Sequence, residues 1–139
     1  MGFFIDMTLS LTNPLCVIDL EATGLQITTD RIVQIAMLRI EPNGDQFTFN
    51  EIVNLEVVIT EEIIAIHGIT NEVARKAKTF KELAPAILAF IGTSDLVGYN
   101  SNKFDIPLLS EEILRCKVEF DLSSRKFIDV QNIFHKMEQ

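Results

Sequence analysis

Asp19 and Glu21 stand two residues apart at the end of an apolar run, Leu15-Cys16-Val17-Ile18-Asp19-Leu20-Glu21. If the run is a β-strand, alternation puts both carboxylates on one face, a few ångströms apart. An apolar strand does not readily bury two like charges, because an unpaired carboxylate there is strongly destabilising. Exposure at the strand's end or a bound cation relieves that cost. Hard oxygen ligands without His or Cys favour Mg²⁺ or Mn²⁺. Taken alone, the pair reads equally well as a strand end entering a charged loop, with Thr23-Gly24 as the turn.

Asp105 is a third carboxylate of interest. It follows Gly98-Tyr99-Asn100-Ser101-Asn102-Lys103-Phe104 and stands where a helix is expected to begin. Asp is among the best N-cap residues, and that is the simpler reading. The position just past a strand is also where functional side chains gather in layered folds. In Thr23-Gly24-Leu25 the glycine lets the backbone approach a ligand closely, or it makes an ordinary turn. His67 lies in Ala65-Ile66-His67-Gly68-Ile69-Thr70 between two helical pieces, where a lone His is more often structural than catalytic. His135 receives no role.

The elements that must position these groups follow from periodicity. Leu15 to Leu20 suits a central strand. Arg31 to Ile40 is rich in β-branched residues and predicts a second. Pro42-Asn43-Gly44-Asp45 carries the Asn-Gly hairpin signal, and Gln46 to Val53 alternates like a half-buried third strand. Together they predict an antiparallel meander. Thr60 is expected to cap a short helix, and Thr70-Asn71-Glu72 to start another. Thr79 with Glu82 resembles a capping box. The helix behind it places Phe80, Leu83, Ile87 and Phe90 or Ile91 on one face and ends at Gly92. A short strand is expected over Asp95–Tyr99. A helix is expected over Asp105–Cys116, with Pro107 in its first turn, and a last helical segment from about Asp129. The order implies a mixed sheet with helices packed on it, an α/β or α+β layered domain. There is no glycine-rich phosphate loop.

The chain has 139 residues, 47% hydrophobic and 23% charged, which suits one folded domain with a sizeable core. Acidic residues outnumber Lys and Arg by 20 to 12, a formal net charge of -8. That excludes a general nucleic-acid coating protein, which would be basic. It does not exclude a nuclease, whose carboxylates are neutralised by divalent cations before phosphate binds. Cys16 and Cys116 read as buried or half-buried thiols of a reducing compartment. No signal peptide or membrane span is apparent, so the expectation is a cytoplasmic protein without a membrane partner.

Three ordered segments resemble one family. Asp19-Leu20-Glu21-Ala22-Thr23-Gly24-Leu25 resembles the first motif (D-x-E-T-T-G-L) of the DEDD exonucleases, the DnaQ-like proofreading group with a ribonuclease H-like fold. Ala22 replaces the commoner Thr. Ile66-His67-Gly68-Ile69-Thr70 is similar to the hGIT segment of that group. Gly98 to Asp105 is similar to its second motif (G-H-N-x-x-F-D), with Tyr99 in place of His and one more residue between Asn100 and Phe104.

The resemblance implies a three-layer α/β domain and a 3′→5′ exonuclease releasing nucleoside 5′-monophosphates by two-metal hydrolysis, with Mg²⁺ or Mn²⁺. It implies that Asp19 bridges both metals, that Glu21 holds the water-activating one, and that Asp105 binds the second. It also implies that Thr23, Gly24 and Leu25 line the terminal nucleotide, with His67 beside it and Asn100 and Phe104 bordering the pocket. The expected substrate is a single-stranded or frayed 3′ end of DNA or RNA. The expected partner of a proofreading subunit is a DNA polymerase. The family's third motif (H-x-A-x-x-D), with its general base and fourth carboxylate, has no match. Ile128 to Ile133 looks like the helix before it, so the expectation is a single domain over 1–139 truncated at its C-terminus and weakly active or inactive as it stands. The other readings are a non-catalytic nucleic-acid-binding or structural domain, and an RNA-trimming enzyme like an oligoribonuclease.

Overall fold

A computed structural model describes residues 12–98, 104–117 and 127–129. Strand β1 (Leu15–Ala22) pairs antiparallel with β2 (Ile32–Ile40), which pairs antiparallel with β3 (Gln46–Ile52). Helices α1 (Glu61–His67), α2 (Asn71–Lys76) and α3 (Phe80–Ile91) follow, then β4 (Asp95–Gly98), α4 (Ile106–Arg115) and β5 (Phe127–Asp129). The sheet has five strands in the order β3-β2-β1-β4-β5, with β4 parallel to both β1 and β5. The expected mixed sheet with an antiparallel first half is therefore present.

One side of the sheet carries the core. Cys16, Ile18 and Leu20 of β1 join Ile35 and Met37 of β2 against Phe80, Leu83, Ile87 and Ile91 of α3 and Ile106, Leu109 and Ile113 of α4. Burying each such side chain is worth roughly 1.5–3 kcal/mol. The register Leu20↔Ile35 and Ile18↔Met37 aligns the apolar sets of the two strands. A one-residue slip would turn both sets to the opposite face. Asp19↔Ala36 and Glu21↔Gln34 are thereby directed to the other side of the sheet.

Local chemistry sets the boundaries. Gly44 has φ 93°, and the Asn43 side chain accepts from the Asp45 amide, so the glycine rather than the asparagine adopts the left-handed conformation of this hairpin. Thr60 and Thr70 cap α1 and α2 by accepting from the Ile63 and Val73 amides. Thr79 and Glu82 form the complete capping box of α3. The Thr79 backbone amide and hydroxyl both donate to Glu82, which holds that carboxyl below its usual range. Both cysteines are thiols, Cys16 buried and Cys116 half-buried, and burial followed by the nearby Glu112 charge raises the Cys116 thiol.

One expectation changes. Asp129 is the last residue of β5, not the first of a helix, because Phe127-Ile128-Asp129 pairs with Leu96-Val97-Gly98; residues 130–139 lie outside the described residues. The strand expected to reach Tyr99 is described to Gly98, and Tyr99 lies outside the described residues.

Candidate active site

β1 runs through the acidic residues to Ala22, so Asp19 and Glu21 are strand residues. Both are exposed, between the buried residues Ile18 and Leu20 and beyond. Strand geometry separates successive same-face positions by roughly 7 Å. Among the described residues neither carboxylate has a hydrogen-bond or ion-pair partner. Two like charges at adjacent same-face positions, with no cation opposite, suit a pair of hard oxygen donors for a divalent ion.

Asp105 is buried, with 9% exposure. It has helical backbone angles (φ -62°, ψ -47°) and makes no side-chain cap bond. A π-type turn at Phe104 and Asp105 leads into α4, so the chain is already helical before the site where a cap would act. The N-cap reading of Asp105 is therefore corrected. Such turns recur at functional positions. Phe104 is half-buried and packs against the core. Asn100 lies outside the described residues. Among the described residues no group of three or more His, Cys, Asp and Glu converges on one point.

The turn after β1 is internally braced. Thr23 exchanges backbone contact with Arg31, its amide donating to the Arg31 carbonyl at 2.9 Å, and its hydroxyl accepts from the Arg31 amide at 2.9 Å. That hydroxyl donates to Asp30 Oδ1 at 2.8 Å, while Asp30 Oδ2 accepts from the Gln26 amide at 2.7 Å. A Cβ on Gly24 would meet Asp30 Oδ2 at 2.6 Å. The glycine is thus required by close approach of the protein's own Asp30. Leu25 projects from this turn with 84% exposure.

His67 closes α1, and Gly68 (φ 74°) makes the left-handed cap. His67 Nδ1 accepts from the Ile69 amide at 3.2 Å. A neutral ring accepting at Nδ1 carries its proton on Nε2. Nε2 is buried with no partner among the described residues. Asn71 bonds both the amide and the carbonyl of Ile59, at 2.6 and 3.0 Å, tying the two ends of the α1 segment together.

Sequence reasoning missed Asp30, Asn71 and the ionic cluster of Arg31, Glu112 and Arg115. Glu112 carried a signal: it stands four residues after the buried Leu108, on the apolar stripe of α4. A carboxylate there demands partners.

An exonuclease family model, RNase_T, matches residues 16–137. The chain belongs to this exonuclease family. Among curated relatives, the Arabidopsis thaliana protein called exonuclease DPD1, chloroplastic/mitochondrial, is 36% identical over 124 residues, covering 82% of this chain and 38% of that protein. DNA polymerase III subunit epsilon of Aquifex aeolicus is 33% identical over 89 residues, covering 64% of this chain and 44% of that protein. The chain thus spans less than half of each. Exonuclease I of E. coli, solved in complex with a dT13 oligonucleotide, superposes with a TM-score of 0.78 at 17% identity, over 91% of this chain and 30% of that one. The RNase_T domain described here therefore shares the ribonuclease H-like fold of Exonuclease I. Among the described residues no helix is long and apolar enough to cross a membrane.

Proposed function

We propose that the protein is a divalent-metal-dependent 3′→5′ exonuclease releasing nucleoside 5′-monophosphates from a single-stranded or frayed 3′ end. The observation that carries this reading is the pair Asp19 and Glu21: exposed, on one face, and without partners among the described residues, in a chain of an exonuclease family. Asp19, Glu21 and Asp105 are the residues that would hold Mg²⁺ or Mn²⁺. When bound, such ions supply an activated water and stabilise the leaving 3′ oxygen. Around them, Leu25 offers an exposed apolar face for the terminal base. The Thr23–Leu25 backbone fixes where that base lies. His67 offers a ring N–H as a donor to a bound nucleotide, and Phe104 borders the pocket. Single-stranded DNA is the favoured substrate class, given the oligonucleotide bound by Exonuclease I. The epsilon-subunit relative makes a DNA polymerase the favoured protein partner.

The test is nucleotide release from a 3′-labelled single strand by the full-length protein with Mg²⁺ or Mn²⁺. Asp19→Ala is expected to abolish release. No release by the wild type, or release unaffected by Asp19→Ala, would sink the proposal. The lack of a converging three-residue group among the described residues favours one rival, a non-catalytic nucleic-acid-binding domain. Calorimetric titration with Mn²⁺ separates the two: no binding at millimolar metal would favour the rival.

A further inference from the structure

The turn that follows the two exposed carboxylates is fastened to α4 by charge. Glu112, with 1% exposure, lies inside the interface between α4 and the sheet. Its Oε1 accepts from Arg31 Nε at 2.5 Å and from Arg115 Nη1. Arg31 is the residue whose amide and carbonyl hold Thr23. The Arg115 guanidinium reaches further. Its Nη1 donates to the Asp30 carbonyl at 3.1 Å, and its Nη2 to the Thr28 carbonyl at 2.9 Å and the Ile27 carbonyl at 3.4 Å. One planar fork therefore grips three consecutive-turn carbonyls and a buried carboxylate, a pattern that a lysine's compact ammonium does not reproduce.

Helix packing alone would not call for this arrangement. An apolar residue of similar volume at position 112 would pack the interface at no desolvation cost. What the carboxylate adds is a fixed anchor for two guanidiniums that both lead to the same turn. The helix bearing that anchor is also the one entered through Asp105. We propose that Glu112 and Arg115 are positioning residues: they hold the Thr23–Leu25 turn in register with Asp105, and so set where the terminal nucleotide sits relative to the carboxylates. This rests on the exonuclease reading. Neither residue touches the reacting atoms. They act through the turn, so their loss is expected in substrate affinity before it is seen in the chemical step.

The experiment uses Arg115→Gln and Arg115→Lys in the full-length protein, since Arg31 still compensates Glu112 in both. Amide hydrogen exchange across residues 23–31 is expected to rise about tenfold in Arg115→Gln, as for local opening, with β2 and β3 unchanged. KM for a short single strand is expected to rise roughly tenfold, with kcat held within about threefold. Arg115→Lys should recover thermal stability, through its pairing with Glu112, but not KM. In a double-mutant cycle, Arg115→Gln should add nothing to Leu25→Ala, because both act on one contact. Unchanged exchange in the turn, an unchanged KM, or full additivity with Leu25→Ala would each overturn the proposal. If the wild type releases no nucleotide, the exonuclease reading falls, and exchange in the turn alone decides the positioning role.

Discussion

Two sets of carboxylates lie on opposite sides of the sheet near the same β1–β2 turn, and they are treated in opposite ways. Glu112 is fully enclosed and shared between two guanidiniums. Asp19 and Glu21 stand exposed on neighbouring same-face positions with no described partner. A buried charge must be paired to be tolerated, so the enclosed Glu112 accounts for the two guanidiniums that meet it. The strand pair gains nothing for folding, since like charges repel and a single Lys opposite, at Ala36 or Gln34, would relieve them. Pairing accounts for the ionisation of one set, and nothing in the fold accounts for the other.

The largest expected effect tests the exposed set. Asp19→Asn should lower nucleotide release by roughly a thousandfold, equivalent to about 4 kcal/mol of transition-state stabilisation. Its melting temperature should stay within about 2 °C of wild type, because exposed unpaired positions contribute little. A comparable loss of stability would erase the contrast. Glu112→Ala should instead lower stability. It removes charge-assisted bonds worth about 2–3 kcal/mol in total, to be read as a lower denaturant midpoint in chemical unfolding. Gly24→Ala comes next, at roughly 1–2 kcal/mol, because the new methyl must displace the doubly bonded Asp30 carboxylate. An Asp30→Ala background should remove most of that penalty, and a full penalty there would count against the close approach as its cause.

The smallest effect is at the α3 cap, remote from both sets. Thr79→Ala should cost about 1 kcal/mol and leave nucleotide release unchanged. The pH dependence has a definite sign. Glu82 is held below its usual range by the Thr79 amide and hydroxyl, so its contribution is present above the ordinary carboxylate range. It is lost as pH falls through the lowered value. The stability gap between wild type and Glu82→Ala should accordingly narrow on acidification, and a gap that widens would reverse the assignment.

Much of this was legible locally. The apolar run into Asp19 and Glu21, the Thr79–Glu82 box and Pro107 at the start of α4 each carry a signal within a few residues. The Asp30 and Arg31 links to α4 do not, because their partners are some 80 residues away in sequence. Gly24 stays open between ligand approach and an ordinary turn in the sequence, since nothing nearby reveals that Asp30 folds back over it. Asp105 looked like a cap because its neighbours fit one, but helical geometry begins at Phe104. β5 was misread because a three-residue strand takes its conformation from its neighbour β4 rather than from its own pattern.

The position of β1 at the seam of the sheet also shapes how the molecule is made. Its β2 side closes through a short turn, whereas its other edge waits for β4, whose first amide donates to the Pro14 carbonyl. During synthesis, residues 53–94 must emerge before that edge is covered, which takes a few seconds at about 5–20 residues per second. For that interval the strand that bears Asp19 and Glu21 is an open edge, the kind that recruits foreign strands. Two like charges on that strand oppose mispairing of the nascent chain.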